Sequence, residues 1–328
     1  MIVVTGGAGF IGSNLVAALE ARGADALVVC DHQGADDKAR NIAKRKLADV
    51  IAPDALAAFL DANRDAVSTV FHMGAISSTT ETDADRIMNV NFGQSVALWR
   101  WCAAHGKRLI YASSAATYGD GSAGFDDDGS PAALARLRPL NLYGWSKHLF
   151  DRWAARLIAD DGARPPQWAG LKFFNVYGPN EYHKGAQRSV VVQAWETAKR
   201  GAPVRLFRSH HPDYADGGQL RDFVSVDDCV ALMLWLHDNP DICGLFNMGT
   251  GQARSFADLA AAVFAAIGRE PDVEYVDTPP DIRDKYQYFT QAEMARARAA
   301  GYTAPFRGLE DGVADYVQRY LEREDPYR

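Results

Sequence analysis

Short apolar runs alternate with longer segments of helical spacing along the first half of this chain. Four runs are predicted to be strands, namely MIVVTG, ALVVCD, STVFHMGA and RLIYASS. Between them, FIGSNLVAALEARG and the segment 83–105 repeat apolar residues at helical spacing, and the helix NLYGWSKHLFDRWAARLIAD leads to a further strand, WAGLKFFNVYG. Because strands separated by helices pair in parallel through crossovers, we predict the α/β class with a doubly wound parallel sheet.

The pattern changes after Gly178, where proline, glycine, histidine and aspartate cluster in SHHPDYADGGQLRDF and VDTPPDIRDKYQYF. Helices continue there, whereas PVRLF and VEYV are predicted to be isolated strands. We therefore predict one domain over residues 1–175 and a smaller, mixed C-terminal domain that comprises mainly residues 176–328. The strand GLFNMGTG is predicted to return to the first sheet, so that the segment 225–250 rejoins the first domain.

Composition and charge exclude several classes of protein. The 328 residues are 48% apolar and 23% charged, which is typical of a globular domain. The net charge of −7 argues against a nucleic-acid partner, because no basic surplus is available to neutralise phosphates. The four cysteines lie far apart and predict neither a zinc site nor a disulfide framework. No charged leader and no apolar run of the ~18–20 residues that cross a bilayer is present, so we expect a cytoplasmic protein without a membrane partner.

A glycine-rich loop, VTGGAGFIGSN, joins the first strand to the first helix and places Gly6, Gly9 and Gly12 at the spacing GxxGxxG. Glycines allow a tight turn and let the backbone approach a pyrophosphate, which the positive end of the following helix attracts. We therefore predict a dinucleotide site of the Rossmann type. Asp31, at the end of the second strand, favours NAD because its carboxylate accepts from a ribose hydroxyl and repels a 2′-phosphate. Nearby Lys38 and Arg40 can supply the opposite charge, so these residues alone leave NAD and NADP open.

The motif YGWSK places Tyr143 and Lys147 on one face of a predicted helix. A phenol with its usual pKa of ~10 is a poor base at neutral pH, and a neighbouring ammonium group stabilises the phenolate and lowers that pKa. Such a tyrosine can remove the proton of an alcohol while hydride leaves its carbon. Ser113 and Ser114 end the fourth predicted strand in YASSAATYG, where a hydroxyl can orient the substrate oxygen. The sequence therefore predicts an alcohol–ketone redox site.

The motifs VTGGAGFIGSN, YASSAATYG and YGWSK, in this order, resemble the extended short-chain dehydrogenase/reductase superfamily. The segments FNVYGPNEYHKG, RDFVSVDDC, FNMGTG and KYQYFT resemble the ADP-glyceromanno-heptose 6-epimerase family across nearly the whole chain, with YHKG and YQYFT as the most specific signals. GAISSTTETD is similar to that family's segment after the third strand. The resemblance implies a Rossmann domain for the cofactor, a C-terminal domain for the substrate and an ADP-sugar as substrate. We also expect a homo-oligomer.

The resemblance also implies roles for individual positions. Ser114, Tyr143 and Lys147 match the family's catalytic triad, and Lys184 matches its second acid/base residue. An NADP site, with NAD as the alternative, is implied at Gly6, Gly9, Phe10, Ile11, Gly12, Asp31, His32, Lys38, Gly74, Ala75, Ser77, Asn91, Lys147 and Val176. Contacts to the ADP-sugar are implied at Ser77, Asn175, Gln193, Phe207, Arg208, Ser209, Arg221 and Tyr286. The chain departs from the family at Met73, in place of an acidic residue, and at Pro53, in place of a lysine that helps hold the cofactor.

The resemblance implies an epimerase that inverts carbon 6 of an ADP-activated manno-heptose by transient oxidation and re-reduction, and so supplies heptose for the lipopolysaccharide core. Tyr143 would serve one face of the intermediate ketone and Lys184 the other. Binding of a phosphate or ribose is the alternative role for Lys184, because lysines commonly serve as point charges.

Three other functions are weighed against this one. A UDP-hexose 4-epimerase of the same superfamily would need no lysine at position 184, and a 4,6-dehydratase would carry an acidic pair after Ser114, where Ala115 and Ala116 stand instead. A non-catalytic nucleotide-sensing protein is the alternative of a different class, and the intact triad argues against it. His210 and His211 lie in a polar segment that is predicted to be a loop and not a metal site.

Overall fold

In the computed structural model the described residues are 1–32, 37–283 and 286–328, so that Lys285 of the motif KYQYFT lies outside them. The strands are Ile2–Thr5 (β1), Leu27–Cys30 (β2), Asp49–Ile51 (β3), Thr69–His72 (β4), Arg108–Ser114 (β5), Trp168–Phe173 (β6), Asn175–Tyr177 (β7), Val204–Phe207 (β8), Leu220–Ser225 (β9), Gly244–Met248 (β10), Ala253–Ser255 (β11) and Val273–Val276 (β12).

The α-helices are Phe10–Ala21 (α1), Asp37–Arg40 (α2), Leu56–Ala62 (α3), Ala84–Ile87 (α4), Gln94–Ala104 (α5), Pro131–Leu134 (α6), Leu142–Ala159 (α7), Val190–Lys199 (α8), Val226–Asp238 (α9), Phe256–Ala266 (α10), Pro280–Arg283 (α11), Ala295–Ala299 (α12) and Leu309–Tyr316 (α13). Short 3₁₀ segments cover Pro53–Ala55, Ala115–Tyr118 and Tyr182–Gln187, and π-helical segments cover Met88–Gly93 and Val317–Leu321.

A seven-stranded sheet forms the centre of the fold in the order β10-β6-β5-β4-β1-β2-β3. All its strand pairs are parallel, and the strands between its edges are short apolar runs that lie buried under helices on both faces. The predicted doubly wound α/β fold is therefore confirmed. The strand from GLFNMGTG lies at one edge, where β10 pairs with β6.

The remaining strands form two small sheets. One contains three strands in the order β11-β9-β7, and the other pairs β12 with β8 in parallel, with Val273 opposite Val204. PVRLF and VEYV are therefore partners, and the prediction that they are isolated strands is wrong. A second hydrophobic cluster, separate from the core around the large sheet, packs between these strands and the helices α8, α10 and α13. The boundary of the predicted domains stays a prediction.

Three local features differ from the predicted elements. WAGLKFFNVYG, predicted to be one strand, forms β6 in the large sheet and β7 in the three-stranded sheet. β3 is a further strand of three residues between the second and third predicted strands, and it is too short and too exposed to leave an apolar pattern. The helix predicted over 83–105 contains the π-helical segment Met88–Gly93, which changes the direction in which the side chains of that turn point. Among the described residues, no helix is long and apolar enough to cross a membrane.

Candidate active site

A cavity of about 680 Å³ opens at the carboxyl ends of β1, β4, β5 and β6, where side chains from several elements meet. This is the edge at which doubly wound sheets bind their ligands. The four residues expected to be catalytic all line it: Ser114, Tyr143, Lys147 and Lys184. The expected cofactor residues that line it are Gly6, Gly9, Phe10, Ile11, Gly12, Asp31, His32, Lys38, Gly74, Ala75, Ser77, Lys147 and Val176.

The glycine loop packs too closely for side chains. Gly6 has a φ of +64°, and a Cβ atom there would lie 2.6 Å from the backbone of Gly74. A Cβ atom at Gly12 would overlap the carbonyl oxygen of Gly6. The loop therefore leaves backbone exposed to the cavity next to the first turn of α1, and this cradle fits the pyrophosphate of a dinucleotide.

Asp31 connects this loop to the segment that contains Lys38. One oxygen of its carboxylate accepts from the backbone N–H of Ala8 at 3.0 Å, and the other accepts from the N–H of His32 at 2.8 Å. The ammonium group of Lys38 forms an ion pair with the same carboxylate. Asp31 is 4% exposed, so this pair places a partly neutralised carboxylate at the wall of the cavity.

Tyr143 and Lys147 lie in the first half of α7, one helical turn apart, and Ser114 ends β5 beside them. The Nζ of Lys147 donates to the carbonyl oxygen of Ala112 at 2.8 Å. Burial lowers the pKa of Lys147 to about 8, and the negative charge of Asp151 acts in the opposite direction. Burial also raises the pKa of the Tyr143 phenol, and a hydrogen bond with Ser114 opposes that rise.

Lys184 reaches the same cavity from a different part of the chain. The short strand β7 ends at Tyr177, and the 3₁₀ segment after it places the Nζ of Lys184 5.7 Å from the centre of the Phe10 ring. Burial lowers the pKa of Lys184, and the nearby carboxylate of Glu181 opposes that change. Glu181 is itself buried and accepts from the backbone N–H and the hydroxyl of Ser189. Glu181 therefore joins the start of the 3₁₀ segment that contains Lys184 to Ser189, which follows that segment.

A group of asparagines attaches the Lys184 segment to the glycine loop. Asn41 Nδ2 donates to the carbonyl oxygens of Ala8 at 2.8 Å and of Asn180 at 3.0 Å. Asn14, on α1, donates to the carbonyl oxygen of Pro179 at 2.8 Å. The bonds to Asn180 and Pro179 join residues more than a hundred positions apart, so together with the bond to Ala8 they hold the lysine segment against the glycine loop.

Asn91 is the one expected cofactor residue that lies behind the cavity wall. Its Nδ2 donates to the carbonyl oxygen of Ile76 at 2.9 Å and to the hydroxyl of Ser146 at 2.9 Å, and its Oδ1 accepts from the N–H of Ile76 at 2.8 Å. The side chain is fully buried and bonded to protein on both ends. It fixes the backbone next to Ser77, which does line the cavity.

The residues expected to contact the ADP-sugar divide into two groups. Ser77 lines the cavity, whereas Asn175, Gln193, Phe207, Arg208, Ser209, Arg221 and Tyr286 lie outside its lining.

Three residues of the outer group pack together. The guanidinium of Arg221 lies 5.4 Å from the centre of the Tyr286 ring, and that ring meets the Phe207 ring edge-on at 5.9 Å. Gln287 donates to the carbonyl oxygen of Gly119, so this cluster is attached to the turn that follows Ser114.

Several residues line the cavity without having been predicted to do so. They include His183, Arg86 and Gln94, and Met73 and Pro53, at which the chain departs from the family, line it as well. His183 lies next to Lys184, and its Nδ1 is 3.2 Å from the amide of Asn41. Arg86 and Gln94 flank the π-helical segment, whose altered side-chain direction no periodicity in the sequence indicates.

No group of three or more metal-ligating side chains occurs in the ranges 1–32, 37–283 and 286–328. His211 packs instead against Tyr214 and Tyr288, with ring centres 5.3 and 5.2 Å away.

Comparison with known proteins agrees with this geometry. Residues 2–249 match the NAD dependent epimerase/dehydratase family, which defines the class of protein. The chain belongs to this family. It is 51% identical over its full length to ADP-L-glycero-D-manno-heptose-6-epimerase of Nitratidesulfovibrio vulgaris, all of which is covered.

Two solved structures superpose on nearly the whole chain. ADP-L-glycero-D-manno-heptose-6-epimerase of Helicobacter pylori matches with a TM-score of 0.80 and 28% identity, covering 97% of this chain and 95% of that one. UDP-glucose 4-epimerase of Thermus thermophilus, in complex with NAD, matches with a TM-score of 0.72 and 26% identity, covering 96% and 97%.

Proposed function

We propose that this chain inverts carbon 6 of an ADP-activated manno-heptose, from the D-glycero to the L-glycero form, by oxidation to a ketone and reduction from the opposite face. The product would serve as a heptose donor for the lipopolysaccharide core. The observation that carries the proposal is that one cavity is lined both by Tyr143 with buried Lys147 and by the half-buried lysine Lys184. The full-length similarity to the Nitratidesulfovibrio vulgaris epimerase supports the choice of substrate.

Gly6, Gly9 and Gly12 of the glycine loop would hold a nicotinamide cofactor, which would supply the acceptor and donor of hydride for carbon 6. In the oxidation, Tyr143 removes the proton of the carbon 6 hydroxyl, and Ser114 donates a hydrogen bond to the same oxygen. The ammonium of Lys147, which is buried one helical turn from Tyr143 in the wall of the cavity, would favour the phenolate form of Tyr143 by charge attraction. These three residues therefore handle the proton on one face of the substrate.

Inversion requires a proton donor on the other face. Rotation about the carbon 5–carbon 6 bond presents the opposite face of the ketone to reduction, and the oxyanion that forms then points away from Tyr143. Lys184 reaches the cavity from the segment after β7, and its lowered pKa lets it exchange a proton nearer to neutral pH than an exposed lysine does. We assign Lys184 as the second acid/base residue.

We propose NADP as the cofactor, with NAD as the alternative. Lys38 neutralises the carboxylate of Asp31 at the wall of the cavity, which removes the repulsion that an isolated aspartate exerts on a 2′-phosphate. The family is described as NAD dependent, and the Thermus thermophilus structure holds NAD. The preference for NADP is therefore proposed from the Asp31–Lys38 pair of this chain.

We propose that the ADP moiety of the substrate contacts the cluster of Phe207, Arg221 and Tyr286. Arg221 is largely buried, and burial lowers the pKa of its guanidinium, so a diphosphate nearby would offset the cost of holding this charge. The aromatic rings beside it offer flat surfaces to a base. The attachment of Gln287 to the turn after Ser114 would link this subsite to the redox site.

Incubation of the purified protein with ADP-D-glycero-manno-heptose tests the function, with the configuration at carbon 6 followed by NMR. We expect conversion to a mixture of the two epimers without net consumption of cofactor. UDP-glucose and UDP-galactose serve as the comparison substrates, because a UDP-hexose 4-epimerase would interconvert them. Conversion of these sugars alone would replace the proposal with the UDP-hexose 4-epimerase, and the absence of turnover with any sugar nucleotide would favour a nucleotide-sensing protein.

A further inference from the structure

A buried ion pair lies directly behind the redox site. Asp151 on α7 and Lys172 on β6 are 3.0 Å apart, and their side chains are 0% and 1% exposed. Within the ranges 1–32, 37–283 and 286–328, no other ion pair has both partners buried to this degree. Neither residue lines the cavity, and the proposed mechanism does not use them.

The pair is the centre of a closed hydrogen-bond network. One carboxylate oxygen of Asp151 accepts from the hydroxyl of Tyr111 at 3.1 Å, and the other accepts from the hydroxyl of Ser113 at 2.6 Å. The ammonium of Lys172 donates to the hydroxyl of Thr117 at 2.7 Å and lies 4.8 Å from the centre of the Tyr118 ring. Both charges therefore have several partners, as buried charges require.

These partners surround the catalytic serine. Ser113 precedes Ser114 on β5, and Thr117 donates from its hydroxyl to the carbonyl oxygen of Ser114 at 2.7 Å. Asp151 lies one helical turn after Lys147 on α7. The network thus joins the strand end that contains the serine to the helix that contains Tyr143 and Lys147.

Stability alone does not account for this arrangement. Two well-packed apolar side chains in place of a buried ion pair commonly give an equally stable or more stable protein, because the desolvation of two charges is unfavourable. An apolar contact, however, allows a helix to slide on a sheet, whereas the three directional bonds of Asp151 to Tyr111, Ser113 and Lys172 fix one position of α7 on the sheet. The network also places a carboxylate behind the ammonium of Lys147, and that charge favours the protonated form of the lysine.

We propose that the Asp151–Lys172 pair is a positioning unit of the redox site, which fixes Ser114 relative to Tyr143 and Lys147 and keeps Lys147 protonated. The second part rests on the proposed function, in which Lys147 acts as an ammonium group.

Few other titratable groups face these residues. Lys147 is approached by Asp151 on its own helix and by His72 on β4, which burial keeps neutral by lowering its pKa to about 3. Asp151 is approached by Lys172, by Tyr111 and Tyr118, and by His148 on its own helix, whose pKa is lowered to about 4. Apart from Tyr143, which is a phenolate in the proposed mechanism, Asp151 is the one group among the described residues whose charge raises the pKa of Lys147.

Asp151→Asn tests the proposal, because asparagine keeps the size of the side chain but lacks the charge, and its one carbonyl oxygen can accept from only one of the hydroxyls of Ser113 and Tyr111, which donate to different oxygens of Asp151. We expect kcat for the epimerisation to fall about 10- to 100-fold with KM changed less than about three-fold, as for a loss of alignment in the reacting state. The pH midpoint at which Lys147 loses its proton should fall by about one unit, since removal of a nearby negative charge lowers the pKa of a cation.

The protonation of Lys147 is measured without turnover, by competitive acetylation with acetic anhydride over a pH series and mass spectrometry of the Lys147 peptide. This readout remains valid if the protein does not convert ADP-heptose, so failure of the proposed function and failure of the positioning proposal are distinguishable. Asp160→Asn is the matched control, because Asp160 makes an exposed ion pair with Arg156 at the end of the same helix. We expect this control to match the wild type in kcat and in the acetylation midpoint.

A second variant separates positioning from folding. Asp151→Asn combined with Lys172→Met removes both charges and leaves no unpaired buried ion, so it should fold where a single variant fails. We expect its thermal unfolding midpoint to approach that of the wild type, while kcat and the acetylation midpoint of Lys147 stay low. Recovery of the wild-type kcat and of the wild-type acetylation midpoint in the double variant would overturn the proposal. The pair would then have only a structural role. An Asp151→Asn variant with unchanged kcat and unchanged midpoint would overturn it as well.

Discussion

The ammonium of Lys184 lies over the ring of Phe10, with 5.7 Å between the Nζ atom and the ring centre. Phe10 is the first residue of α1, directly after the glycine loop, whereas Lys184 belongs to the segment after β7. Lys184 is therefore adjacent to the glycine loop, on an element that does not carry Tyr143 or Lys147. This separation is what a reaction at both faces of one carbon requires.

Lys184→Ala should abolish epimerisation while leaving substrate binding largely intact. We expect kcat to fall about 10²- to 10⁴-fold, because the residue supplies a proton in the reacting state, with KM within a few-fold of the wild type. Lys184→Arg is the matched variant, since arginine keeps the positive charge but does not release a proton in this pH range. Steady-state kinetics would contradict the assignment if Lys184→Arg restored activity, or if Lys184→Ala raised only KM.

The activity should fall on the alkaline side of neutrality. Burial lowers the pKa of Lys147 from its usual value to about 8, so the ammonium group is present below that pH and is lost as the pH rises through it. We expect kcat/KM to decline above pH about 8 with a limb of unit slope. Lys147→Arg keeps the charge at all these pH values, so its residual activity should lack this limb. If the wild type and Lys147→Arg showed the same alkaline decline in kcat/KM, the decline would belong to a group other than Lys147.

Lys38→Ala should alter the choice of cofactor more than its overall binding. Without the ammonium group, the carboxylate of Asp31 is unpaired at the cavity wall and repels a 2′-phosphate. We expect the affinity for NADPH to fall about ten-fold relative to that for NADH, corresponding to about 1.4 kcal/mol, in fluorescence titrations of the two cofactors. Equal losses for both cofactors would show that Lys38 contributes no discrimination. Lys46→Ala, in the same part of the chain but outside the cavity, is the matched control.

Gly12→Ala should disturb the cofactor cradle, because a Cβ atom there would overlap the carbonyl oxygen of Gly6. Overpacking of a close backbone contact costs about 1–3 kcal/mol, and relief of the overlap would displace the loop. We expect a lower free energy of unfolding together with weaker cofactor binding, measured by denaturant titration and fluorescence. Gly93→Ala is the control, since its nearest neighbour would be 3.8 Å away, and we expect it to retain cofactor affinity.

Much of the sheet and of the site was predictable because local patterns determine them. The strands that end at Thr5, Cys30, His72 and Ser114 are continuous apolar runs, and their carboxyl ends must share one edge in a parallel sheet. The glycine loop and the one-turn spacing of Tyr143 and Lys147 are visible in the sequence alone.

Other features depend on tertiary contacts that no local pattern encodes. Lys172 is a lone charged residue in an apolar strand, and the sequence does not show whether its ammonium group reaches solvent. In the structure that group is buried against Asp151. Asn91 has the residue type of a cofactor ligand, and the π-helical turn directs it instead to Ile76 and Ser146. Such partners become apparent only when distant segments are brought together.

The most direct test of the redox epimerisation uses ADP-D-glycero-manno-heptose that carries deuterium in place of hydrogen at carbon 6. NMR in ordinary water then reports both the configuration and the isotope at that carbon. We predict an L-glycero product that retains deuterium at carbon 6, because the hydrogen removed from one face is returned to the other within the same cavity. Replacement of the deuterium by solvent hydrogen during inversion would contradict this mechanism.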